Sequence, residues 1–188
     1  MTSLNCGGRA LDLSRTAIMG ILNVTPDSFS DGGIFLSRDV AVAHALVMAE
    51  EGADLIDVGG ESTRPDAQAV SVQEELDRVI PVIEAIARAV PLPVSIDTSK
   101  PEVMRAAVAA GAGLINDVRA LRETGTLQTA AALGVPVCLM HMQGEPRSMQ
   151  ASPTYDDVVS DVRRFLEERV QLAVDSGINE DRICIDPG

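Results

Sequence analysis

Val94-Ser95-Ile96-Asp97-Thr98-Ser99-Lys100-Pro101 decides the fold. A short β-branched run stops at an acid and turns at once into a helix start. Ser99-Lys100-Pro101-Glu102 reads as a capping box, with Pro101 tolerated in the first turn. The same unit recurs on both sides. Downstream, Leu114–Ile115 ends at Asn116-Asp117, Val137–Met140 ends at His141, and Ile183–Ile185 ends at Asp186. Upstream, Leu55–Val58 leads into Gly59-Gly60-Glu61-Ser62-Thr63-Arg64-Pro65, and Ala17–Val24 carries Asn23 near its end before Thr25-Pro26-Asp27. A single strand-end acid would mean little. Polar residues repeated at one end of successive strands are how an α/β barrel builds an active site at one mouth.

Helical patterns fill the gaps. Ser71-Val72-Gln73-Glu74 is a capping box ahead of Leu76, Val79, Ile80, Ile83 and Ile86. Thr154 or Ser152 is the expected cap for the helix carrying Val158, Val162, Phe165, Leu166, Val170 and Val174. Gly52, Gly111, Gly134 and Gly177 stand where helices end and short links begin. Strand–helix alternation six strands deep implies parallel pairing with helices over the sheet. The opening segment, residues 1–14, reads as a hairpin turning at Gly7-Gly8 and closing the barrel floor. Two loops, Thr25–Ser37 and Gly59–Val70, are longer than ordinary βα connections, as expected of clamps at a catalytic mouth.

The fold class expected is therefore α/β, a (β/α)8 barrel. An eight-stranded barrel needs about 250 residues, and the sequence runs to Asp186-Pro187-Gly188 directly after its sixth strand. Residues 1–188 are expected to be one barrel domain in incomplete N-terminal form, with the sixth helix and last two strands missing. The first and sixth strands would present bare apolar edges, so the isolated chain is expected to be poorly soluble or molten.

A net charge of −13 excludes a general nucleic-acid binder, since no basic stripe can neutralise phosphates. A small anionic ligand needs only a local group of donors and is allowed. With aromatics at 2%, the core must be built from aliphatic side chains and Met, as barrel layers are. Cys6, Cys138 and Cys184 lack metal spacing, and Cys138 and Cys184, inside apolar runs, read as buried inert thiols. No stretch is long enough to span a bilayer, and the expected compartment is a reducing cytoplasm.

The longer strings carry a family resemblance. Met19-Gly20-Ile21-Leu22-Asn23-Val24-Thr25-Pro26-Asp27-Ser28-Phe29-Ser30-Asp31-Gly32-Gly33 resembles the first signature of the dihydropteroate synthase family, and Gly52–Pro65 resembles the second. Ser95–Pro101, Ile115-Asn116-Asp117-Val118, Met140-His141-Met142-Gln143-Gly144 and Asp186-Pro187-Gly188 follow in the family's order. The resemblance implies condensation of 4-aminobenzoate with 6-hydroxymethyl-dihydropterin diphosphate, giving dihydropteroate and diphosphate for folate synthesis. It also implies Mg²⁺, a homodimeric parent and an aminobenzoate site for which sulfonamide drugs compete in the family.

Carried over position by position, the resemblance makes Asn23 the Mg²⁺-holding asparagine. Asp97, Asn116 and Asp186 become the polar floor of the pterin pocket and the candidate catalytic groups. Thr63, Arg64 and Pro65 on the second loop, Phe29 on the first, and Met140 become substrate contacts. The family's later lysine and Arg-x-His motifs have no counterpart in the sequence, so this chain alone is expected to be inactive.

The chemistry suits these residue types. A carboxylate accepts two parallel N–H bonds from a pterin edge, and Asp186 is the candidate for that edge. Asn116 offers both a donor and an acceptor. An aromatic amine is a weak nucleophile, so a dissociative route is attractive, and Asp97 is the candidate for stabilising a pterin-methylene cation. Plainer roles exist for each residue. Asp97 alone would serve as a helix-entry residue, Asn116-Asp117 and Asp186-Pro187-Gly188 as turns, His141 as a structural side chain and His44 as surface. Alternative readings of the whole are a pterin-dependent methyltransferase and a non-catalytic pterin-binding module.

Overall fold

The computed structural model describes residues 2–24, 33–61, 70–144 and 153–188. Two short strands, β1 (Ser3–Cys6) and β2 (Arg9–Asp12), open the chain as an antiparallel hairpin. Six βα-type strands follow: β3 (Met19–Asn23), β4 (Leu55–Gly59), β5 (Val94–Asp97), β6 (Leu114–Asp117), β7 (Val137–Met140) and β8 (Ile183–Asp186). Between them run α1 (Gly33–Glu50), α2 (Val72–Ala89), α3 (Pro101–Ala110), α4 (Thr126–Leu133) and α5 (Val158–Asp175). The strands pair in chain order, every pair parallel. This is the expected α/β architecture, an open portion of a barrel.

Alternation along each strand sorts the side chains. Leu22, Val58, Ile96, Ile115 and Leu139 are buried with Val79, Ile83, Ile86, Val103 and Met104 in the main core beneath the helices. The alternate positions carry Asp57, Ser95, Asp97 and Asn116. Burial of the aliphatic layer is the main stabilising term, at about 25 cal/mol per Å² of apolar surface.

The hairpin lies at the N-terminal ends of the strands. Leu4, Cys6 and Leu11 pack with Leu55 and Leu114 in a second cluster, which is the closed floor expected from Gly7-Gly8. Arg9 ties it to the next layer. Its guanidinium donates to the carbonyls of Ala87, Val90 (2.7 Å) and Leu92, where α2 ends. Ala87 is among the last-turn carbonyls a helix terminus leaves unpaired, Val90 is the C-cap, and Leu92 lies in the link beyond it.

Two helix starts differ from expectation. Ser71 and Glu74 do form the capping box of α2. Ser99 does not cap α3. Lys100 is the N-cap and makes no side-chain cap bond, while Ser99 Oγ donates to the buried Asp117 carboxylate. A carboxylate is a stronger acceptor than a helix amide is a donor, so the hydroxyl turns to the charge. Nor does Thr154 cap α5. Asp157 does, accepting from the Ser160 amide at 2.9 Å, and its charge also favours the positive end of the helix. Thr154 instead exchanges two bonds with the Gln143 side chain. Ser152 lies outside the described residues.

The floor gives a direct test. A Cβ at Gly113 would fall 2.2 Å from the Cys6 carbonyl oxygen and 2.3 Å from its carbon. Both are backbone, so the hairpin would have to lift. In the protein expressed from the reading frame that carries residues 1–188, Gly113→Ala is expected to cost roughly 1–3 kcal/mol. It should also speed labelling of Cys6 by a thiol reagent; an unchanged melt with unchanged labelling would show that the hairpin is not docked.

The sheet edges give a second test. Ile21 on β3 and Ile185 on β8 are 53% and 57% exposed, on the two strands that have no outer neighbour among the described residues. Expressed alone, residues 1–188 are expected to bind apolar dyes and to self-associate. A monomer with a sharp cooperative melt would contradict this.

Candidate active site

The register sets the site. Asn23, Gly59, Asp97 and Asn116 are aligned Cα partners across four strands, and the row continues to Cys138 and Cys184. All six strands run the same way, so this row ends at one mouth. Gly59 shows how close two members come. A Cβ there would be 3.5 Å from Asn23 Oδ1 and 3.5 Å from Asp97 Oδ2, so the amide and the carboxylate flank the space above the glycine. Met140 and Asp186 pair with each other farther toward the mouth, Asp186 two residues beyond Cys184.

One level below sits Asp57, a residue that sequence reasoning passed over. It is buried, and Ser95 Oγ and Asn116 Nδ2 (3.1 Å) both donate to its carboxylate. The Asn116 side chain is thereby fixed with its amide nitrogen on Asp57. The available signal was an acid inside the apolar run Leu55–Val58, since a lone buried acid needs partners.

Charge is concentrated here. Burial pushes the Asp97 carboxyl well above its ordinary range, with Asp57, Asp117, Glu75 and Glu61 pushing the same way. Burial raises Asp57, partly offset by Ser95 and Asn116. The Cys138 thiol is pushed up to about 12, first by burial and then by Cys184, Asp186, Asp57 and Asp97. Those three carboxylates come from β8, β4 and β5. Cys138 and Cys184 are half-buried rather than fully buried. Cys6 is raised to about 11 and Cys184 is raised too, both chiefly by burial, so all three thiols stay protonated and inert.

Asp117 is a turn-former, and a demanding one. Burial raises its carboxyl, while Ser99 and the amides of Arg119 and Leu121 donate to it. Ala120 and Leu121 both hold positive φ, 51° and 56°. Arg169, itself buried, donates to both of their carbonyls at 2.8 and 2.9 Å. Left-handed backbone at non-glycine residues costs about 1–3 kcal/mol each and survives only where neighbours over-determine it. Here a carboxylate from below and a guanidinium from α5 do so.

His141 is buried as a structural residue, its ring edge-on to Phe165 at 5.1 Å and its amide donating to the Asp186 carbonyl at 2.8 Å. His44 is exposed. Asp186 accepts from the Gly188 amide at 2.9 Å, so it also shapes its own turn. Phe29, Thr63, Arg64 and Pro65 lie outside the described residues. Among the described residues no group of three or more His, Cys, Asp or Glu side chains is arranged to hold a metal. The Asn23 amide oxygen beside Asp97 is nevertheless a hard-oxygen donor set of the kind Mg²⁺ uses, because that ion keeps several waters and takes few protein ligands. No helix among the described residues is long and apolar enough to cross a membrane.

Residues 19–188 match the family model described as "Pterin binding enzyme". The chain is 56% identical over 181 residues to the dihydropteroate synthase of Escherichia coli, covering 96% of this chain and 64% of that protein. It is 52% identical to the Haemophilus influenzae dihydropteroate synthase, covering 98% of this chain and 67% of that one. The chain thus spans about two thirds of the length of the curated relatives it matches. Xanthomonas albilineans dihydropteroate synthase with 4-aminobenzoic acid superposes with a TM-score of 0.92 at 60% identity, covering all of this chain and 66% of that one. The same enzyme in complex with 7,8-dihydropteroate gives 0.87 at 57% identity, covering 99% and 65%.

The raised carboxyls set a pH dependence. Asp57, Asp97 and Asp117 ionise less readily in the folded chain than their ordinary value of 3.8 allows. Their contribution to stability is fully present below that value and is lost as pH rises through the raised values. Asp97→Asn removes one such group. The variant is expected to melt higher than wild type at pH 8, with the gap closing toward pH 4. A variant that melts lower at pH 8 would show that Asp97 is not held in an unfavourable field.

Proposed function

The chain belongs to the family of pterin-binding enzymes, and from that premise we propose that it supplies the pterin-binding part of a dihydropteroate synthase. The reaction joins 4-aminobenzoate to 6-hydroxymethyl-dihydropterin diphosphate and releases diphosphate. The observation that carries the reading is the single row Asn23–Gly59–Asp97–Asn116 with Asp57 buried beneath it. A flat heterocycle edged with N–H donors and ring acceptors requires such a set of acceptors and amides on one wall.

Each residue has a physical task. Asp186 would accept the paired N–H groups of the pterin edge, where charge assistance strengthens both bonds. Asn116, oriented by Asp57, would present its amide oxygen to a pterin donor. Asp97 faces the carbon that becomes electron-poor as diphosphate leaves. Its anionic form stabilises charge that exists only near the transition state, which lowers the barrier rather than the substrate's KM. Asn23 would share an Mg²⁺ with the diphosphate, the ion neutralising the leaving oxygens when bound. Thr63, Arg64, Pro65 and Phe29 would line the diphosphate and aminobenzoate side, and Met140 would touch the ring face. A homodimer in the cytoplasm completes the reading. A pterin-dependent methyltransferase is not favoured, because the high-identity relatives above carry the synthase name.

The test is turnover by the protein expressed from the reading frame that carries residues 1–188. With both substrates and Mg²⁺ it should form dihydropteroate and one diphosphate per product. Asp97→Asn should lower kcat by about a hundredfold or more while leaving pterin diphosphate binding within a few-fold. Product formation with methyltetrahydrofolate instead, or undiminished turnover by Asp97→Asn, would overturn the assignment.

A further inference from the structure

Among the described residues, Ala120 and Leu121 are the only non-glycines with left-handed backbone, and they stand next to each other in the loop after β6. Asp117 gathers that loop from the strand side. The amides of Arg119 and Leu121 donate to its carboxylate, both at 2.9 Å, and the Ala120 amide donates to its carbonyl at 2.8 Å. The carbonyls of Ala120 and Leu121 are taken from the other side by Arg169 on α5, through Nε at 2.8 Å and Nη2 at 2.9 Å.

Arg169 is only 9% exposed. A Leu or Met could fill that space without the cost of desolvating a charge. What arginine adds is a planar fork of donors that two carbonyls can share. The fork is itself seated. Phe165 stands one turn earlier on the same face of α5. Its ring meets His141 edge-on at 5.1 Å and lies under the Arg122 guanidinium at 5.7 Å. Arg122 directly follows the left-handed pair and donates back to the Arg119 carbonyl at 3.1 Å. One stripe of α5 therefore holds both the loop after β6 and the residue that follows β7.

The residue this loop delivers to the site is Asn116. Its side-chain nitrogen donates to Asp57 at 3.1 Å, and its carbonyl accepts from the Thr98 amide at 3.1 Å. Its third anchor is the chain itself, through Asp117. Asp117 is buried and is tied to the loop by three amides and to Ser99 by one hydroxyl. A loop that relaxed out of the left-handed conformation would withdraw those amides and turn Asp117, and Asn116 is the next residue back.

We propose that Arg169 is a positioning residue for the pterin site: by holding Ala120 and Leu121 left-handed it fixes Asp117, and through Asp117 the side chain that Asn116 presents to the ligand. It acts through the loop and not on the substrates. The ligand rests on the dihydropteroate synthase reading; the placement of Asn116 by Arg169 stands apart from it.

Arg169→Met removes the fork and keeps an apolar stem. The protein to test is the one expressed from the reading frame that carries residues 1–188. There Arg169→Met is expected to weaken binding of pterin diphosphate, read by calorimetry, by about three- to tenfold, the worth of one hydrogen bond. The KM for 4-aminobenzoate should stay within about twofold. A merely structural residue would lower the folded fraction and leave the affinity of the folded molecules as it was. Ala120→Gly supplies the rescue. Glycine adopts positive φ without steric cost, so Ala120→Gly added to Arg169→Met should regain most of the lost affinity. The side-chain amide resonances of Asn116, assigned with Asn116→Asp, read its placement without any ligand. They are expected to move in Arg169→Met and to return in the double variant.

An Asn116 signal that stays in place, a pterin affinity that does not change, or an aminobenzoate KM that rises equally would each overturn the role of Arg169. So would a double variant no nearer to wild type than the single one. If Arg169→Met does not fold, the double variant decides: a folded chain with the wild-type Asn116 signal supports the role, and a displaced signal or a failure to fold removes it. A wild type that binds no pterin diphosphate would overturn the function and leave the Asn116 result standing.

Discussion

An unbroken parallel register from β3 to β8 is the constraint on which the site depends. The aligned row Asn23–Gly59–Asp97–Asn116–Cys138–Cys184 crosses all six strands without a bulge. A slip of one residue in any strand would send its inward side chain into the helix layer. The buried aliphatics Leu22, Val58, Ile96, Ile115 and Leu139 prevent that slip, since moving them inward would also bring polar groups into the core. Packing of the outer layer therefore fixes the chemistry of the inner one.

The inner layer is unfavourable in isolation. Asp57, Asp97 and Asp117 are each harder to ionise than in water, for the same first reason: burial. Each is handled differently. Asp57 is bonded by Ser95 and Asn116, Asp117 by Ser99 and two loop amides. Asp97 has four like charges around it, two of which, Glu61 and Glu75, are bonded by Lys100. Such an arrangement stores negative potential at the mouth, and it suits a reaction in which a ligand carbon turns positive. The left-handed pair Ala120-Leu121, held between Asp117 and Arg169, is a second place where backbone cost is accepted beside the site.

Much of this was legible in the chain. Strand ends, parallel order, the Ser71 capping box and the floor hairpin all follow from local pattern, because each depends on neighbours in sequence. The misreadings have a common cause. Ser99 forms a plausible cap in sequence, but the Asp117 carboxylate comes from 18 residues away and takes its hydroxyl. Asp157 was passed over for Thr154, although it was the stronger cap. Glu75 was passed over altogether, yet it lies one turn before Val79 on the buried stripe of α2, a spacing that could have exposed it.

The sequence by itself determined the alternating architecture, the polar strand ends and the motif strings that identify a pterin-binding barrel. Periodicity, turn chemistry and residue type are local properties, and they survive without coordinates. Only the tertiary structure decided that Asn116 is oriented by Asp57, that Asp97 sits among four other carboxylates, and that Lys100 bridges Glu61 and Glu75. Those facts join residues 20 to 59 positions apart, and electrostatic energy depends on separation in space, which a linear string does not carry.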